Sequence, residues 1–72
     1  MGIREILAAN LRNLRQERGM SQEELAHRAD IDRTYISALE RTVYAASIDV
    51  LERLAIALEV SPDALLRPVP DN

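Results

Sequence analysis

A ten-residue stretch, DRTYISALER from Asp32 to Arg41, holds the side chains of this chain that are best suited to chemistry. An arginine stands near each end, and threonine, tyrosine and serine hydroxyl groups lie between them. The planar fork of arginine binds phosphate and guanine edges through two parallel hydrogen bonds, and hydroxyl groups hydrogen-bond to bases or to phosphate. These residue types therefore favour polar recognition of a nucleic acid over the making or breaking of covalent bonds.

Catalytic and metal-binding motifs are not found in the sequence. The chain has no cysteine and a single histidine, His27, so Cys-based zinc sites are excluded and one histidine cannot build a metal site unaided. Glu23 and Glu24 are paired acids, but no glycine-rich phosphate loop, Ser–His–Asp set or HExxH helix accompanies them. We therefore expect a protein that is not an enzyme and that needs neither a metal nor a cofactor.

Length and charge limit the possible partners. The 72 residues make one small domain, which needs either a very well packed core or a second copy of the chain. No apolar run approaches the roughly 20 residues of a membrane span, and no secretory layout is present, so we expect a cytoplasmic protein without a membrane partner. The net charge of −3 argues weakly against a nucleic-acid partner. Its distribution is uneven, however, because residues 1–18 carry four arginines against two glutamates.

Helix caps and apolar periodicity predict five helices and therefore an all-α fold. The first helix covers residues 3–18 and ends at Gly19, and the third ends near Arg41. Four residues are expected to cap the other helices: Ser21 (whose capping box Glu24 completes), Asp32, Ser47 and Ser61. The inward residues expected on the fourth helix are Ile48, Leu51, Leu54, Ala55 and Leu58.

The functional interpretation rests on the short connection between the second and third predicted helices. Helices joined by only three or four residues cross steeply instead of lying antiparallel. On the third helix Ile36 and Leu39 point toward the core. The opposite face is low and polar, and it consists of Thr34, Ser37, Ala38 and Arg41, with Arg33 and Tyr35 at its flanks. A helix needs such a face to enter a major groove about 12 Å wide.

The spacing of Gln22, Ala26, Asp30, Ile36 and Leu39 resembles the helix-turn-helix of the Cro and phage-repressor (XRE-like) family. The resemblance covers roughly residues 5–67 and implies a compact five-helix, lambda-repressor-like DNA-binding domain over residues 1–67. It places the helix-turn-helix at 21–41, dimerisation helices at 47–66 and a C-terminal tail at 68–72. Within the family, DRTYISALER is most similar to the stand-alone controller proteins of restriction–modification systems.

Three positions depart from the family pattern. Asp30 stands at a turn position usually held by glycine, Thr42 stands where glycine often follows the third helix, and Ala46 stands where proline is common. Aspartate still enters the left-handed region at modest cost. We therefore expect the loop 42–46 to take an atypical path.

The residues expected to read bases are Arg33, Thr34, Tyr35 and Ser37. Arginine is the commonest reader of guanine O6 and N7, and threonine contacts bases or the thymine methyl group. Alternatives to base reading stay open for three of these residues. Arg33 would otherwise pair with Asp30 or with groups around Glu40. Tyr35 would otherwise donate to phosphate or pack against the second helix, and Ser37 would otherwise reach phosphate.

The residues expected to bind phosphate are Gln22, Arg41 and Tyr44. Gln22 begins the second helix, where backbone N–H groups and the positive helix end can hold a phosphate. The resemblance implies that Gln22 also braces the recognition helix, and that Arg15 and Glu40 form a structural ion pair between the first and third helices. The alternatives are a solvated Gln22 and an Arg41 that only neutralises the C-terminal end of its helix.

A dimer interface is predicted on the fourth and fifth helices. Ile56 lies within a polar arc of the fourth helix, and the apolar arc of that helix is wider than one small core needs. Such a patch on a small domain usually marks an interface. The residues predicted to form it are Val50, Leu54, Ile56, Ala57 and Leu66, and the alternative is that Ile56 is an isolated surface residue.

These features together predict a transcriptional regulator that binds double-stranded DNA sequence-specifically, as a homodimer on a palindromic operator. An autoregulating restriction–modification controller is the specific form that the resemblance favours. A phage-type repressor, an antitoxin-like regulator, and a protein-interaction module that has lost DNA affinity are the alternatives. No small-molecule effector is expected, because the chain has no domain to bind one.

Overall fold

The computed structural model of the protein describes residues 2–69, and within them all regular structure is helical. The four α-helices are α1 (Ile3–Glu17), α2 (Gln22–Ala29), α3 (Arg33–Glu40) and α4 (Ile48–Leu58), and a 3₁₀ helix follows at Pro62–Leu65. The all-α class predicted from the sequence is confirmed. Residues 70–72 of the predicted tail lie outside the described residues.

The prediction of a fifth α-helix is wrong. Ser61 and Pro68 leave room for only one turn, because the residue before a proline disfavours the α conformation. Hydrogen bonds from Ala64 N to Ser61 O and from Leu66 N to Asp63 O close this turn with 3₁₀ geometry. The Ser61 hydroxyl does not cap the turn, because it donates to the carboxylate of Asp63. That hydrogen bond, together with Arg67, holds the pKa of Asp63 below its ordinary value.

Three of the predicted N-terminal caps are confirmed. Ser21 Oγ accepts a hydrogen bond from Glu24 N at 3.0 Å, Asp32 Oδ1 from Thr34 N at 2.8 Å, and Ser47 Oγ from Val50 N at 3.1 Å. The capping box predicted for Glu24 is not completed, because its carboxylate pairs with Arg28 one turn later. These short-range contacts fix where α2, α3 and α4 begin.

A residue with left-handed backbone follows each α-helix. Gly19 has a φ of 68° after α1, and Asp30, Thr42 and Glu59 have φ values of 57°, 60° and 59° after α2, α3 and α4. A left-handed residue ends a helix by turning the chain away from its axis. Three of the four are not glycine, and Thr42 is in addition β-branched, which makes its conformation the most strained.

The core is aliphatic and corrects four sequence-based assignments. Leu54 has 0% of its surface exposed and Ala57 only 9%, so both belong to the core of the single chain and not to a dimer interface. Ile48 was expected to point inward but is 84% exposed, because it is the first residue of α4 and lies beyond the edge of the core. Ala38 was expected on the outer face of α3. It is buried, with 4% of its surface exposed, because α3 packs against both α1 and α2 and not against one helix alone.

Arginine side chains hold the C-terminal ends of three α-helices. The carbonyl of Glu40 at the end of α3 accepts from Arg12 Nη2 at 2.8 Å, and the carbonyl of Leu58 at the end of α4 accepts from Arg18 Nε at 2.8 Å. Arg53 Nη1 reaches the carbonyl of Asp30 behind α2 at 3.4 Å. These carbonyls have no partner within their own helix, so the guanidinium groups satisfy them and join each end to another helix.

Candidate nucleic-acid interface

The outer face of α3 presents polar side chains between two arginines. Arg33, Ser37 and Arg41 recur every four residues and therefore lie along one side of the helix, with Thr34 beside them. Arg33, Thr34 and Arg41 are exposed and Ser37 is half-buried, whereas Ile36 and Leu39 on the opposite side are in the core. The structure thus brings three of the four predicted base-reading residues, together with Arg41, onto one surface.

Arg33 and Thr34 differ in how free their polar groups are. Within residues 2–69, the Arg33 side chain makes neither a hydrogen bond nor an ion pair, so the predicted alternative of pairing with Asp30 or near Glu40 is not formed. Thr34 Oγ1 donates to Asp32 Oδ1 at 2.6 Å. This bond and the one from Thr34 N lower the pKa of Asp32. Because its hydrogen is committed, the Thr34 side chain offers an acceptor oxygen and a methyl group to a partner.

Tyr35 and Tyr44 form a pair beside the outer face of α3. Their rings meet edge to face with centroids 6.0 Å apart, and the Tyr35 hydroxyl donates to the carbonyl of Ala45 at 3.2 Å. Tyr35 is half-buried and packs against the core, while Tyr44 is exposed. The phenol of Tyr35 therefore supports the loop that follows α3, and reading of bases by Tyr35 is the least supported of the sequence-based assignments.

A cleft at the start of α2 brings a predicted phosphate-binding residue next to a predicted base reader. Its lining residues are Arg15, Ser21, Gln22, Glu23 and Arg33. Gln22 is the first residue of α2, where backbone N–H groups point out of the helix and favour an anion. The side chains of Gln22 and Arg33 border the same cleft although they lie on different helices.

The buried carboxylate of Glu40 joins three helices behind this cleft. Arg15 Nε donates to Glu40 Oε2 at 2.7 Å and Arg15 Nη2 donates to Oε1 at 3.1 Å, so the two side chains form a bidentate ion pair. Gln22 Nε2 also donates to Oε1, at 3.1 Å. Only 5% of the Glu40 side chain and 13% of the Arg15 side chain are exposed. The end of α3 is thereby held against α1 and against the start of α2.

Arg12 was not identified from the sequence, although it lies close to the interface. Its Nη2 donates to the carbonyl of Glu40, and about half of its side chain (49%) is exposed. Together with Arg41 it borders a second, shallow cleft at the C-terminal end of α3. One signal was available, because Arg12 precedes Arg15 by three residues and therefore lies on the same face of α1.

The apolar residues predicted to form a dimer interface do not make one surface. Leu66 borders an apolar groove of about 220 Å³ between the start of α1 and the start of α4, and the other apolar residues lining it include Ile3, Leu7, Ile48 and Leu51. Ile56 is 71% exposed but does not line this groove. Val50 is half-buried against the core. The groove brings several apolar side chains together, whereas Ile56 is a single exposed one.

Neither a metal cluster nor a membrane-spanning helix is found in the part of the chain that the structure describes. No group of three or more His, Cys, Asp or Glu side chains could hold a metal ion there. None of the described helices combines the length and the apolar composition that crossing a membrane requires.

Comparison with known proteins identifies the family. The family model described as "Helix-turn-helix" matches residues 11–65 of this chain, which includes α2, α3 and α4 in full. The chain belongs to the XRE-type helix-turn-helix family. The family prediction drawn from Gln22, Ala26, Asp30, Ile36 and Leu39 is confirmed.

Individual XRE-type relatives are similar in sequence and in structure. The Neisseria hypothetical transcription factor of Neisseria meningitidis serogroup B is 44% identical over 66 residues, which are 92% of this chain and 62% of the relative. The solved structure of that factor has a TM-score of 0.90 at 43% identity and covers 93% of this chain and 77% of the relative's. The chain thus spans less than two thirds of the full length of this relative.

Controller proteins of restriction–modification systems are also among the relatives. The control protein C.SmaI of Serratia marcescens is 42% identical over 66 residues, which are 92% of this chain and 79% of the relative. The controller protein C.Esp1396I was solved as a tetramer in complex with its natural 35 base-pair operator, and it has a TM-score of 0.82 at 35% identity, covering 90% of this chain and 86% of the relative's. The similarity to controller proteins that DRTYISALER predicted is confirmed.

Proposed function

We propose that this chain is a transcriptional regulator that binds double-stranded DNA with sequence specificity, and that α3 is its recognition helix. The observation that carries the proposal is the surface made by Arg33, Ser37 and Arg41 next to the cleft of Gln22. Arg33 on this surface has no partner in residues 2–69, and an unpaired arginine on a groove-sized helix is suited to guanine. Its neighbour Gln22 and the start of α2 are suited to the adjacent phosphate.

Within this role, an autoregulating restriction–modification controller is the specific form that the relatives support. C.SmaI is a control protein, and C.Esp1396I binds its own operator DNA as a tetramer. Catalysis has no part in this proposal.

A homodimer completes the proposal. Two copies related by a two-fold axis would place their recognition helices about 34 Å apart on one face of a palindromic operator. We place the dimer contact at the groove of Ile3, Ile48 and Leu66, because these apolar side chains are exposed and contiguous. Ile56 is less suited, since it lies on the side of α4 that carries Asp49, Glu52 and Glu59.

Binding of random-sequence duplex DNA at increasing salt concentration tests the function. A protein that neutralises phosphates shows log K falling linearly with log salt. We expect this for the wild type and a much weaker affinity for the double variant Arg33→Ala/Arg41→Ala. The matched control is Arg28→Ala/Arg67→Ala, which removes the same charge from two exposed i,i+4 ion pairs away from α3.

Two results would contradict the proposal. The first is a wild type that does not bind duplex DNA at any salt concentration, which would favour a protein-interaction module. The second is an equal loss of affinity in both double variants, which would show that net charge and not the face of α3 governs binding. If neither result is obtained, selection of bound sequences from random DNA would define the operator.

A further inference from the structure

The shallow cleft at the C-terminal end of α3 has the features of a second anion site. Its lining residues are Glu5, Ala8, Ala9, Arg12, Glu40, Arg41 and Thr42. Ala8, Ala9 and Arg12 belong to α1, whereas Arg41 directly follows α3. Neither the family match nor the relatives' names assign a role to Arg12.

The guanidinium of Arg12 is anchored by a backbone carbonyl and is only distantly paired with a carboxylate. Its Nη2 donates to the carbonyl of Glu40 at 2.8 Å, which fixes the fork but carries no formal charge. The Glu40 carboxylate lies 4.0 Å from Arg12 Nε, beyond hydrogen-bond distance, and it is already bound by Arg15 at 2.7 Å. Half of the Arg12 side chain is exposed. Arg12 thus offers a positioned positive charge with N–H groups left for a ligand.

Arg41 and Glu5 complete the charge of the cleft. The Arg41 side chain makes one hydrogen bond within residues 2–69, from Nε to the carbonyl of Ser37 at 3.3 Å, so its terminal nitrogens remain available. Glu5 is the single carboxylate in the lining besides Glu40, and its Oε1 accepts from Gly2 N at the start of α1. The cleft therefore contains the guanidinium groups of Arg12 and Arg41 and two carboxylates. The Glu40 carboxylate is already paired with Arg15, and the Glu5 carboxylate has no arginine partner among the described residues.

The position of the cleft points to the ligand. Glu40 borders it, and the same carboxylate accepts a hydrogen bond from Gln22, which lines the cleft at the start of α2. Arg33 at the start of α3 lines the first cleft, and Glu40 and Arg41 at the end of α3 line the second, so the two clefts lie next to each other along this helix. We infer that Arg12 and Arg41 together bind a phosphodiester group of duplex DNA, in addition to the phosphate at the start of α2. This inference rests on the proposed function.

The test is the salt dependence of binding to random-sequence duplex DNA by Arg12→Gln and Arg12→Lys. Each phosphate neutralised contributes about 0.9 to the magnitude of the slope of log K against log salt. We expect Arg12→Gln to make the slope shallower by about that amount and Arg12→Lys to preserve most of it. Arg28→Gln, which removes an exposed charge of α2 that does not line the cleft, should keep the wild-type slope.

A purely structural role of Arg12 gives a different result. It would lower the affinity of Arg12→Gln by the same factor at every salt concentration, leaving the slope unchanged, and that result would overturn the inference. If Arg12→Gln does not fold, Ala9→Glu answers the question, because it places a carboxylate in the cleft and leaves the Arg12 hydrogen bond intact. A wild-type slope for Ala9→Glu would likewise overturn the inference.

The two proposals fail in distinguishable ways. A wild type that shows no salt-dependent binding removes both. A wild type that binds with a linear salt dependence, accompanied by Arg12 variants with an unchanged slope, removes only the second phosphate site.

Discussion

The side-chain amide of Gln22 donates a hydrogen bond to Glu40 Oε1 at 3.1 Å and thereby joins the first residue of α2 to the last residue of α3. The same carboxylate accepts two hydrogen bonds from Arg15 of α1. The start of α2 and the outer face of α3 therefore hold a fixed relative position before any partner binds. Such preorganisation reduces the entropy lost on binding, so we expect Glu40 to support DNA binding without contacting the DNA itself.

Replacing Glu40 should destabilise the domain strongly. In Glu40→Ala the guanidinium of Arg15, with 13% of its side chain exposed, loses its carboxylate partner. An uncompensated buried charge costs about 3 kcal/mol or more, which lowers Tm by more than about 10 °C in a domain of this size. Thermal unfolding followed by circular dichroism measures the shift.

The control for Glu40 is the exposed pair between Glu24 and Arg28. Glu24→Ala removes a carboxylate of the same kind from an i,i+4 pair, which is worth about 0.3–0.5 kcal/mol. Its Tm should stay within a few degrees of the wild type. A Glu40→Ala variant as stable as Glu24→Ala would show that the buried pair does not hold the helices together.

Arg33 and Arg41 should differ in what they contribute to DNA binding. Arg33→Ala is expected to cost about 1–3 kcal/mol on the preferred sequence and to relax selectivity at one base pair, as loss of a base contact does. Arg41→Ala should weaken all sequences alike and reduce the salt slope by about one unit. Affinities for the selected sequence and for random duplex separate the two effects. Equal losses on both DNAs for Arg33→Ala would place Arg33 on the phosphate backbone.

Replacing Thr42 with glycine should stabilise the folded domain. Its φ of 60° is unfavourable for a β-branched residue, and a left-handed residue costs roughly 1–2 kcal/mol when it is not glycine. Because glycine also adds freedom to the unfolded chain, we expect Thr42→Gly to gain at most about 1 kcal/mol in the free energy of unfolding. Val43→Gly, at the next residue and without a positive φ, should instead lose stability. Chemical denaturation measures both, and a loss at Thr42 equal to that at Val43 would argue against strain there.

The self-association surface should respond to Ile48 and Leu66 more than to Ile56. We expect the wild type to sediment as a dimer at micromolar concentration, because the groove lined by Ile3, Ile48 and Leu66 exposes contiguous apolar surface. Ile48→Glu and Leu66→Glu should be monomeric, and Ile56→Glu should remain dimeric. Sedimentation equilibrium of the four proteins tests this, and the opposite order would return the interface to the outer side of α4.

The helix starts were predictable because short-range contacts set them. Ser21, Asp32 and Ser47 accept backbone hydrogen bonds from residues two or three positions later, and the spacing of hydroxyls and carboxylates therefore predicts these caps directly. The 3₁₀ turn at residues 62–65 was mistaken for a helix because a cap and a proline at the first position mark both structures equally. The number of residues between Ser61 and Pro68 decides between a 3₁₀ turn and an α-helix.

The incorrect burial assignments concern side chains whose exposure depends on packing against distant parts of the chain. A helical wheel places Ala38 on the polar side of α3, but it does not show that α1 and α2 both pack against this helix. In the same way it groups Ile48 with Leu54, although the core ends between them. The bond from Arg12 to the Glu40 carbonyl spans 28 residues, and no local pattern reports a contact of that range.

The arginine bonds to helix ends have a consequence for how the domain opens. Arg18, the residue directly after α1, donates to the last carbonyl of α4, and Arg53 of α4 donates to the carbonyl of Asp30 behind α2. A helix end held in this way cannot unwind without also releasing a side chain of another helix. Amide hydrogens in these last turns should therefore exchange with solvent mainly when the whole domain unfolds, as one cooperative unit, and not through independent fraying of each helix.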